Sequence, residues 1–212
     1  MKKIFIALSL ALMCTLSNAQ SNLHYVPVTF SNSGTSTVQK VFADMSLVTD
    51  NSVTYTEISK TFQDSDHYIQ IFHEHRFWDE PIYVHVELRD QSFSGYGETM
   101  LMVGGAYDVF TENGMIAIEP LLRLDGEKGN WGKAQPMLSV VTGHDWKVFN
   151  LNSFTDFWYD SNYTGSGFNW YSEAWAYFKL LEHVQLGAIL TASYSEPAGF
   201  LVSAAPGLKI VF

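Results

Sequence analysis

The sequence predicts an all-β protein, a closed antiparallel up-and-down transmembrane β-barrel of about twelve strands. Three observations lead to this fold class. Apolar and polar residues alternate along most of the chain, short and long connections alternate between the segments, and the chain ends on an aromatic residue, Phe212. A side-chain period of two is typical of β-strands, and transmembrane barrels combine it with short turns on one side and longer loops on the other.

The first residues predict export. Two lysines at positions 2–3 precede an apolar run that ends in the small-x-small pattern SNA (17–19). The run is too short to span a bilayer, so we expect residues 1–19 to be a cleaved signal peptide and residues 20–212 to form a single barrel domain. Cleavage also removes Cys14, the one cysteine of the chain, and leaves no thiol for a disulfide or a metal site.

The composition excludes some function classes. The chain has 22 acidic and 12 basic residues, a formal net charge of −10. Nucleic-acid binding needs a basic surface, so this balance argues against a nucleic-acid partner. After the leader, no window is long and apolar enough for a membrane-spanning helix.

Alternation defines the strands. Along 183–194, for example, Leu186 and Leu190 share one face while Gln185 and Ser193 share the other. Such a period of two predicts half-apolar strands. About twelve segments show it: they lie near 24–31, 38–48, 52–62, 67–76, 81–90, 98–110, 114–124, 133–143, 147–158, 166–179, 183–194 and 199–212.

The connections alternate in length. The short ones lie at 49–51, 77–80, 111–113, 144–146 and 181–183, and the longer ones at 32–37, 90–97, 125–132 and 160–167. Outer-membrane barrels have short periplasmic turns and longer extracellular loops, so we expect the longer connections to face outside. The connections at 63–66 and 195–198 are short exceptions in the longer class.

A soluble β-sandwich is the competing fold, and three features argue against it. Segments of ten or more residues are long for sandwich strands, which average about five or six. The last strand alternates up to a terminal aromatic, Phe212, which resembles the assembly signal that the outer-membrane insertion machinery recognises. Aromatic residues also stand near strand ends, as in membrane girdles: Phe77, Trp78, Phe110, Trp131, Trp146, Tyr159 and Phe178. The predicted location is the outer membrane, with lipid around the barrel.

A family resemblance adds to this prediction. The segments VTYTEISKTF (53–62) and FTDFWYD (154–160), together with the terminal strand, resemble the Tsx-like family of nucleoside-specific channel-forming outer-membrane proteins. The similarity covers most of 38–212 and is greatest to the compact members common in Bacteroidetes, which are often of unknown function. The resemblance implies a porin-like barrel of about twelve strands that passes nucleosides or similar small solutes passively.

If the apolar faces meet lipid, the opposite faces line the lumen. The candidate lining residues are Glu87, Arg89, Glu119, Arg123, Asn152, Asp156, Tyr171, Glu173, Trp175 and Tyr177, with Asp44, Glu57, His85, Asn150 and Asn169 on the same faces. Two interpretations remain open. The interior is a path for a small polar solute, or its charges pair across strands and plug a closed structural or binding barrel.

Strand 166–179 is the candidate solute surface. Tyr171, Glu173, Trp175 and Tyr177 alternate on one face, which predicts three rings and a carboxylate along one wall. A base can stack on the rings, and Asp156 and Asn152 of the preceding strand are expected to receive a ribose.

The pattern HEH (73–75) raises the alternative of a metal site. Two histidines separated by one residue point the same way on a strand, but they share the lipid-facing parity of Ile69 and Ile71, whereas His85 belongs to the lumen face. Zinc needs three or four converging ligands, so we predict no metal and no cofactor. No motif marks a catalytic nucleophile, so we expect no enzyme; an outer-membrane hydrolase is the weakest alternative.

Overall fold

The protein is described here by a computed structural model. It describes residues 19–26, 29–31, 34–36, 40–61, 67–77, 80–93, 96–127, 130–159, 167–196 and 198–212. The predicted signal peptide therefore lies outside the described residues except for Ala19, and it stays a prediction. The described part of the chain contains no helix long and apolar enough to cross a membrane.

Twelve long strands and three short ones make up the described structure. The long strands are β1 (Ala19–Val26), β4 (Lys40–Val48), β5 (Ser52–Thr61), β6 (His67–Arg76), β7 (Ile82–Phe93), β8 (Tyr96–Thr111), β9 (Gly114–Glu127), β11 (Gln135–Asp145), β12 (Phe149–Tyr159), β13 (Phe168–Leu181), β14 (Val184–Ser195) and β15 (Gly199–Val211). The short strands are β2 (Thr29–Ser31), β3 (Gly34–Ser36) and β10 (Asn130–Trp131).

The long strands form a closed barrel. Each long strand pairs antiparallel with the next along the chain, and β15 pairs with β1, through Asn22↔Val211 to Tyr25↔Leu208. This pairing leaves neither β1 nor β15 as a free edge, as lipid requires. The predicted fold class, a closed antiparallel up-and-down barrel of twelve strands, is confirmed.

The first strand begins and ends about five residues earlier than the predicted segment, 24–31. β1 spans Ala19–Val26 and ends one residue before Pro27, which has no N–H for a ladder hydrogen bond. In a strand of a soluble core the apolar residues are buried, whereas in β1 the polar Asn22 and His24 are buried inside the barrel. The predicted segment 24–31 therefore covers only the end of β1, together with the short strand β2.

A small hairpin completes the seam between the last and first strands. β2 pairs with β3 and also with β15, at Ser203 and Ala204. These positions precede Leu208, where the described pairing between β15 and β1 begins. Pro206 of β15 pairs with Ala188 of β14 on one side, and on the other side it lies between these two stretches of described pairing.

The outer surface is apolar. Ile82, Val84, Val86 and Leu88 of β7 are 37–43% exposed, although the residues between them are mostly buried. The other strands repeat this arrangement, with exposed Ile58, Ile71, Val103, Val109, Ile118, Leu122, Leu138, Leu186, Leu190 and Val202. An exposed apolar face of this extent suits hydrocarbon and not water, as expected of a transmembrane barrel.

Aromatic residues frame the apolar surface at both ends. Exposed rings at the end with the short turns are Phe77, Phe110, Trp146, Phe178 and Phe212, and those at the opposite end are Trp131, Tyr159, Phe168 and Phe200. Two such girdles are expected at the two interfaces of a membrane. Trp78, which was predicted to join them, lies outside the described residues.

The two ends differ in their connections, although less than predicted. Five short turns join strands at one end, where β1 begins and β15 also ends. At the other end, two of the predicted loops are largely strand: β7 and β8 continue pairing to Phe93↔Tyr96 across 90–97, and β9 pairs with β10 within 125–132. Strands of up to 16 residues exceed the about 9–11 that cross a bilayer, so these hairpins project beyond the membrane.

Two glycines beside the seam leave space for the side chain of Tyr177. Gly187 and Gly207 are consecutive partners of Tyr177 across β14 and β15. A Cβ on Gly207 would lie 2.8 Å from Tyr177 Oη, so the tyrosine side chain fills the space that a side chain at this position would need. The ring can thereby extend from β13 toward β1.

We predict that Gly187→Ala lowers the free energy of unfolding by about 1–3 kcal/mol, because overpacking must move the backbone. The added Cβ would lie 1.9 Å from the Ala176 carbonyl oxygen. Gly105→Ala is the matched control, because the nearest atom to its Cβ, Tyr83 O, is 3.5 Å away. Urea unfolding in detergent micelles, followed by tryptophan fluorescence, measures both. Equal stability of the two variants would contradict the packing described here.

Deletion of Phe212 should reduce insertion. The Phe212 amide donates a hydrogen bond of 3.0 Å to the Ser21 carbonyl oxygen, and its ring is 63% exposed. Because this residue is both part of the seam and the predicted assembly signal, we expect less protein in the membrane fraction and more degradation. Heat-dependent gel mobility after membrane fractionation measures this, with Phe178→Ala as the exposed-aromatic control. Normal amounts of the truncated protein in the membrane would argue against an assembly role.

Candidate functional site

The interior of the barrel is lined by polar side chains, and β7 shows how the sequence places them there. Tyr83, His85 and Glu87 are buried while their neighbours on the strand face outward. Arg89 continues the inner face, with a side chain that is 12% exposed. Because strand side chains alternate, the same period that gives a lipid-facing surface also concentrates charged groups inside.

The residues predicted to line the lumen lie on the inner faces of four strands. Buried among them are Glu87, Glu119, Arg123, Asp156 and Tyr177, and the half-buried ones are Arg89, Asn152, Tyr171, Glu173 and Trp175. In the structure these residues form separate groups, because β7, β9, β12 and β13 lie at different positions around the interior. The groups differ in how free their members are to meet a solute.

An arginine bridge crosses the interior. Arg89 Nε donates to Glu87 Oε1 at 2.5 Å on the same strand, and Arg89 Nη1 donates to Asp156 Oδ2 at 2.6 Å. Asp156 is on β12, four strands from β7 around the barrel. The guanidinium also lies 5.9 Å from the Phe154 ring centroid. Charge-assisted bonds to two carboxylates compensate the burial of this cation.

A second group surrounds His85. Its Nδ1 lies 2.8 Å from Glu74 Oε1 and 4.0 Å from Glu119 Oε2, and its Nε2 lies 3.2 Å from Glu87 Oε2. The four side chains are 2–8% exposed, and Phe72 stacks on the imidazole with centroids 5.4 Å apart. We call Glu74, His85, Glu87 and Glu119 the His85 cluster.

The HEH pattern separates into two sides of the wall. His73 and His75 face outward, their rings 6.2 Å apart, and His73 Nδ1 lies 2.8 Å from Thr54 Oγ1. Glu74, between them, points inward and joins His85. Glu74 was not predicted to be an interior residue, although its parity, opposite to that of Ile69 and Ile71, indicates the inner face.

A third group lies inside the seam. His24 Nε2 is 2.7 Å from Asp44 Oδ2, and His24 Nδ1 is 3.1 Å from Tyr177 Oη. Asn22 Nδ2 donates to Asp44 Oδ1 at 2.7 Å. These bonds connect β1 with β4 on one side and, across β14 and β15, with β13 on the other. Asn22 was not predicted because it precedes the predicted first strand (24–31), and His24, the first residue of that segment, was not assigned to either face.

The wall formed by β13 differs from the predicted row of three open rings. Tyr171 Oη donates to Glu173 Oε2 at 2.6 Å, and Trp175 Nε1 donates to Glu173 Oε1. These three residues, which we call the aromatic wall, are half-buried. Tyr177 instead is 0% exposed and holds His24, so it has no face available to a solute.

Neighbouring groups set the position of the aromatic wall. The Trp175 ring lies 5.2 Å from Phe42 and 5.5 Å from His24, measured between centroids. The Tyr171 ring lies 5.6 Å from Phe154. Contacts of this kind favour tilted, fixed ring geometries, so the indole and phenol are preorganised.

The two expected ribose-binding residues differ in availability. Asn152 is the cross-strand partner of Trp175 and is half-buried. Asp156, the partner of Tyr171, is 2% exposed and is held by Arg89. Asn152 is therefore the more accessible hydrogen-bonding group beside the aromatic wall.

Arg123 belongs to another part of the interior. Its Nε donates to Asp125 Oδ1 at 2.5 Å, its Nη2 lies 3.4 Å from Glu98 Oε1, and its guanidinium lies 4.8 Å from the Trp158 ring centroid. Trp158 also packs on an interior cluster of Met100, Met102, Leu121 and Met137. Pairing of Arg123 across strands was one of the two interpretations left open. Its bond to Asp125 on the same strand was not predicted, and neither was the apolar cluster, which joins side chains of β8, β9 and β11.

Solved structures support the barrel fold. The chain is similar to the NanC porin, with a TM-score of 0.59 and 10% identity over 90% of this chain and 98% of that one. It is also similar to the KdgM porin, with a TM-score of 0.54 and 9% identity over 92% of this chain and 99% of that one. At such identities the similarity concerns the fold alone.

Sequence comparisons do not identify a family. No protein-family model matches the chain, and no curated protein sequence matches it. The resemblance to the Tsx-like family is therefore not confirmed. The closed barrel, its apolar exterior and its porin-like fold place the protein in the outer membrane, as predicted.

Removing the central cation should destabilise the barrel. Arg89→Met would leave Glu87 and Asp156 without their shared partner, and breaking a buried ion pair costs about 3–5 kcal/mol. Arg76→Met is the control, because Arg76 donates to the Asp50 carbonyl oxygen at an exposed turn, at 2.8 Å. Urea unfolding in micelles compares the two variants with the wild type. A loss for Arg89→Met no larger than that for Arg76→Met would show that the bridge does not support the fold.

Proposed function

We propose that the protein is a passive outer-membrane channel for small polar solutes, and that nucleosides are the solutes its interior suits best. The observation that carries the proposal is the aromatic wall: Tyr171 and Trp175 are half-buried inside the barrel and are fixed in place by Glu173. The similarity of the fold to two porins supports a channel in general terms.

The aromatic wall suits the base of a nucleoside. Stacking of a base on an aromatic side chain is worth about 1–3 kcal/mol, which is enough for a weak site that a solute can leave quickly. Because Glu173 already accepts hydrogen bonds from both neighbouring rings, its role is to orient them. Their faces are then the surfaces on which a base can stack.

The sugar is expected to meet Asn152 first. Its amide can both donate to and accept from ribose hydroxyls, and it faces Trp175 across the strand pair. Asp156 becomes available only if Arg89 exchanges its partner, because Arg89 holds Asp156 Oδ2 at 2.6 Å. The bridge thus places a paired guanidinium next to the aromatic wall.

The second candidate is a plugged barrel, whose interior offers no path for a solute. The Arg89 bridge favours this function. Arg89 connects β7 with β12 through the interior, and Trp175 of β13 lies against Phe42 of β4. Such contacts can plug a small barrel that serves a structural or binding role without transport. The hydrolase alternative receives no support from His85, whose described polar partners are glutamates. His24 does pair with an aspartate, Asp44, but its other ring nitrogen is next to the buried Tyr177 hydroxyl and not to a serine.

Single-channel recording in planar bilayers separates these functions. A channel should conduct ions, and added nucleosides should reduce that conductance in a concentration-dependent manner. A plugged barrel should show no conductance. Conductance that is indifferent to nucleosides would leave a general small-solute channel and would remove the nucleoside proposal.

Trp175→Ala should weaken the block of conductance by nucleosides about 5- to 100-fold, because it removes the main stacking surface. Trp158→Ala is the matched control: it removes another interior indole, which packs against Arg123 and the methionine cluster. The control should keep the nucleoside affinity even if it alters ion conductance. An equal loss in both variants would mean that the rings merely fill the lumen.

A further inference from the structure

Three potential metal ligands converge inside the barrel at a place where the proposed transport uses none of them. Glu74 comes from β6, His85 from β7 and Glu119 from β9. One ligand atom from each, the imidazole nitrogen and two carboxylate oxygens, lies within 4.8 Å of the others. We propose that Glu74, His85 and Glu119 bind one divalent transition-metal ion. This inference does not rest on the channel function.

Glu119 is the observation that points to a cation-binding role. Its side chain is 8% exposed, and its one polar contact within the described part of the chain is His85 Nδ1 at 4.0 Å. This distance is too long for a hydrogen bond. A buried carboxylate without a hydrogen bond or a close partner is costly, whereas a metal ion between Glu119 and His85 would compensate it.

The neighbouring charges do not supply that compensation. The His85 cluster contains three glutamates and one imidazole, and the nearby Arg89 already binds Glu87 and Asp156. Asp108, on the inner face of β8, is 4% exposed and leaves its Oδ1 unpaired among the described residues. This part of the interior therefore has more acidic groups than cations.

The second ring nitrogen of His85 has a carboxylate partner, as is typical of metal-binding histidines. Metal-binding histidines almost always donate their second ring N–H to a carboxylate, a carbonyl or water. His85 Nε2 lies 3.2 Å from Glu87 Oε2, and Glu87 Oε1 accepts from both Gln70 and Arg89. The proton between His85 Nδ1 and Glu74, which are 2.8 Å apart, would be released to solvent when the ion binds. Donation from Nε2 to the fixed Glu87 carboxylate then leaves the Nδ1 lone pair available to an ion held by Glu74 and Glu119.

The donor set indicates the class of ion. A nitrogen ligand disfavours Ca²⁺ and Mg²⁺, which take oxygen ligands, and the absence of thiolate from the set disfavours soft ions such as Cu⁺. One imidazole and two carboxylates suit Zn²⁺, with bonds of about 2.0–2.2 Å and a fourth position open to water. Binding would exchange the 2.8 Å contact between His85 Nδ1 and Glu74 for two bonds to the ion.

Zinc titration of the full-length barrel tests this proposal. The protein is purified in detergent without a histidine tag, treated with a chelator and titrated with Zn²⁺ in an isothermal calorimeter. We expect one Zn²⁺ per barrel. Glu119→Gln should weaken binding at least tenfold, and Glu87→Gln should weaken it about 10- to 100-fold by releasing the imidazole. X-ray absorption of the zinc complex should show one imidazole ligand.

Two controls separate this site from other sources of binding. Glu57→Gln removes another buried carboxylate, one whose partner is Tyr55 at 3.1 Å, and it should leave zinc affinity unchanged. The double variant His73→Gln/His75→Gln removes the outward-facing pair and should also bind zinc normally. Heat-dependent gel mobility verifies that each variant is folded, and Glu74→Gln replaces Glu119→Gln if the latter fails to fold.

Three results would overturn the proposal. The first is a wild-type barrel that binds no Zn²⁺. The second is unchanged affinity in folded Glu119→Gln and Glu74→Gln. The third is loss of binding only in the His73→Gln/His75→Gln variant, which would assign the zinc to the outer surface of the hairpin.

Discussion

Closure of the sheet is the constraint on which the structure depends. In lipid, each unpaired backbone N–H or C=O costs several kcal/mol, so a sheet with free edges is not viable there. The chain meets this requirement by pairing its last strand with its first, and the β2–β3 hairpin extends the pairing at Ser203 and Ala204 beyond the end of β1. Inside the seam, Tyr177 and Asp44 hold His24, so side chains and backbone close the barrel together.

Closure also determines what the interior must contain. A strand whose outer face is apolar directs the alternate residues inward, and in this protein those residues are rich in charge. Few of them reach bulk water, so each cation needs partners: Arg89 has Glu87 and Asp156, and Arg123 has Asp125. The carboxylates outnumber these cations, and this surplus motivates the proposed metal site.

The interior holds the two proposed sites, and Arg89 lies between them. The proposed metal ligands lie on β6, β7 and β9, while the aromatic wall lies on β13. Arg89 lies between the two regions without contacting either directly. It binds Glu87, which is 3.2 Å from His85, and Asp156, whose cross-strand partner is Tyr171. An ion bound at His85 would therefore lie near the Arg89 bridge, which is next to the proposed solute site. This shared arginine offers a physical route between metal binding and conduction.

The sequence by itself determined the fold class, because a side-chain period of two, short turns and terminal aromatics are local properties that a closed membrane barrel requires. It also determined which faces turn inward, so Glu87, Arg89 and Trp175 could be assigned to the interior before any coordinates. Only the tertiary structure decided which side chains form ion pairs and hydrogen bonds with them. The Arg89–Asp156 bridge joins strands four apart, and the Tyr177–His24 bond spans the seam. Alternation gives the side of the wall, but distances across the interior depend on strand order and register, which lie outside any local pattern.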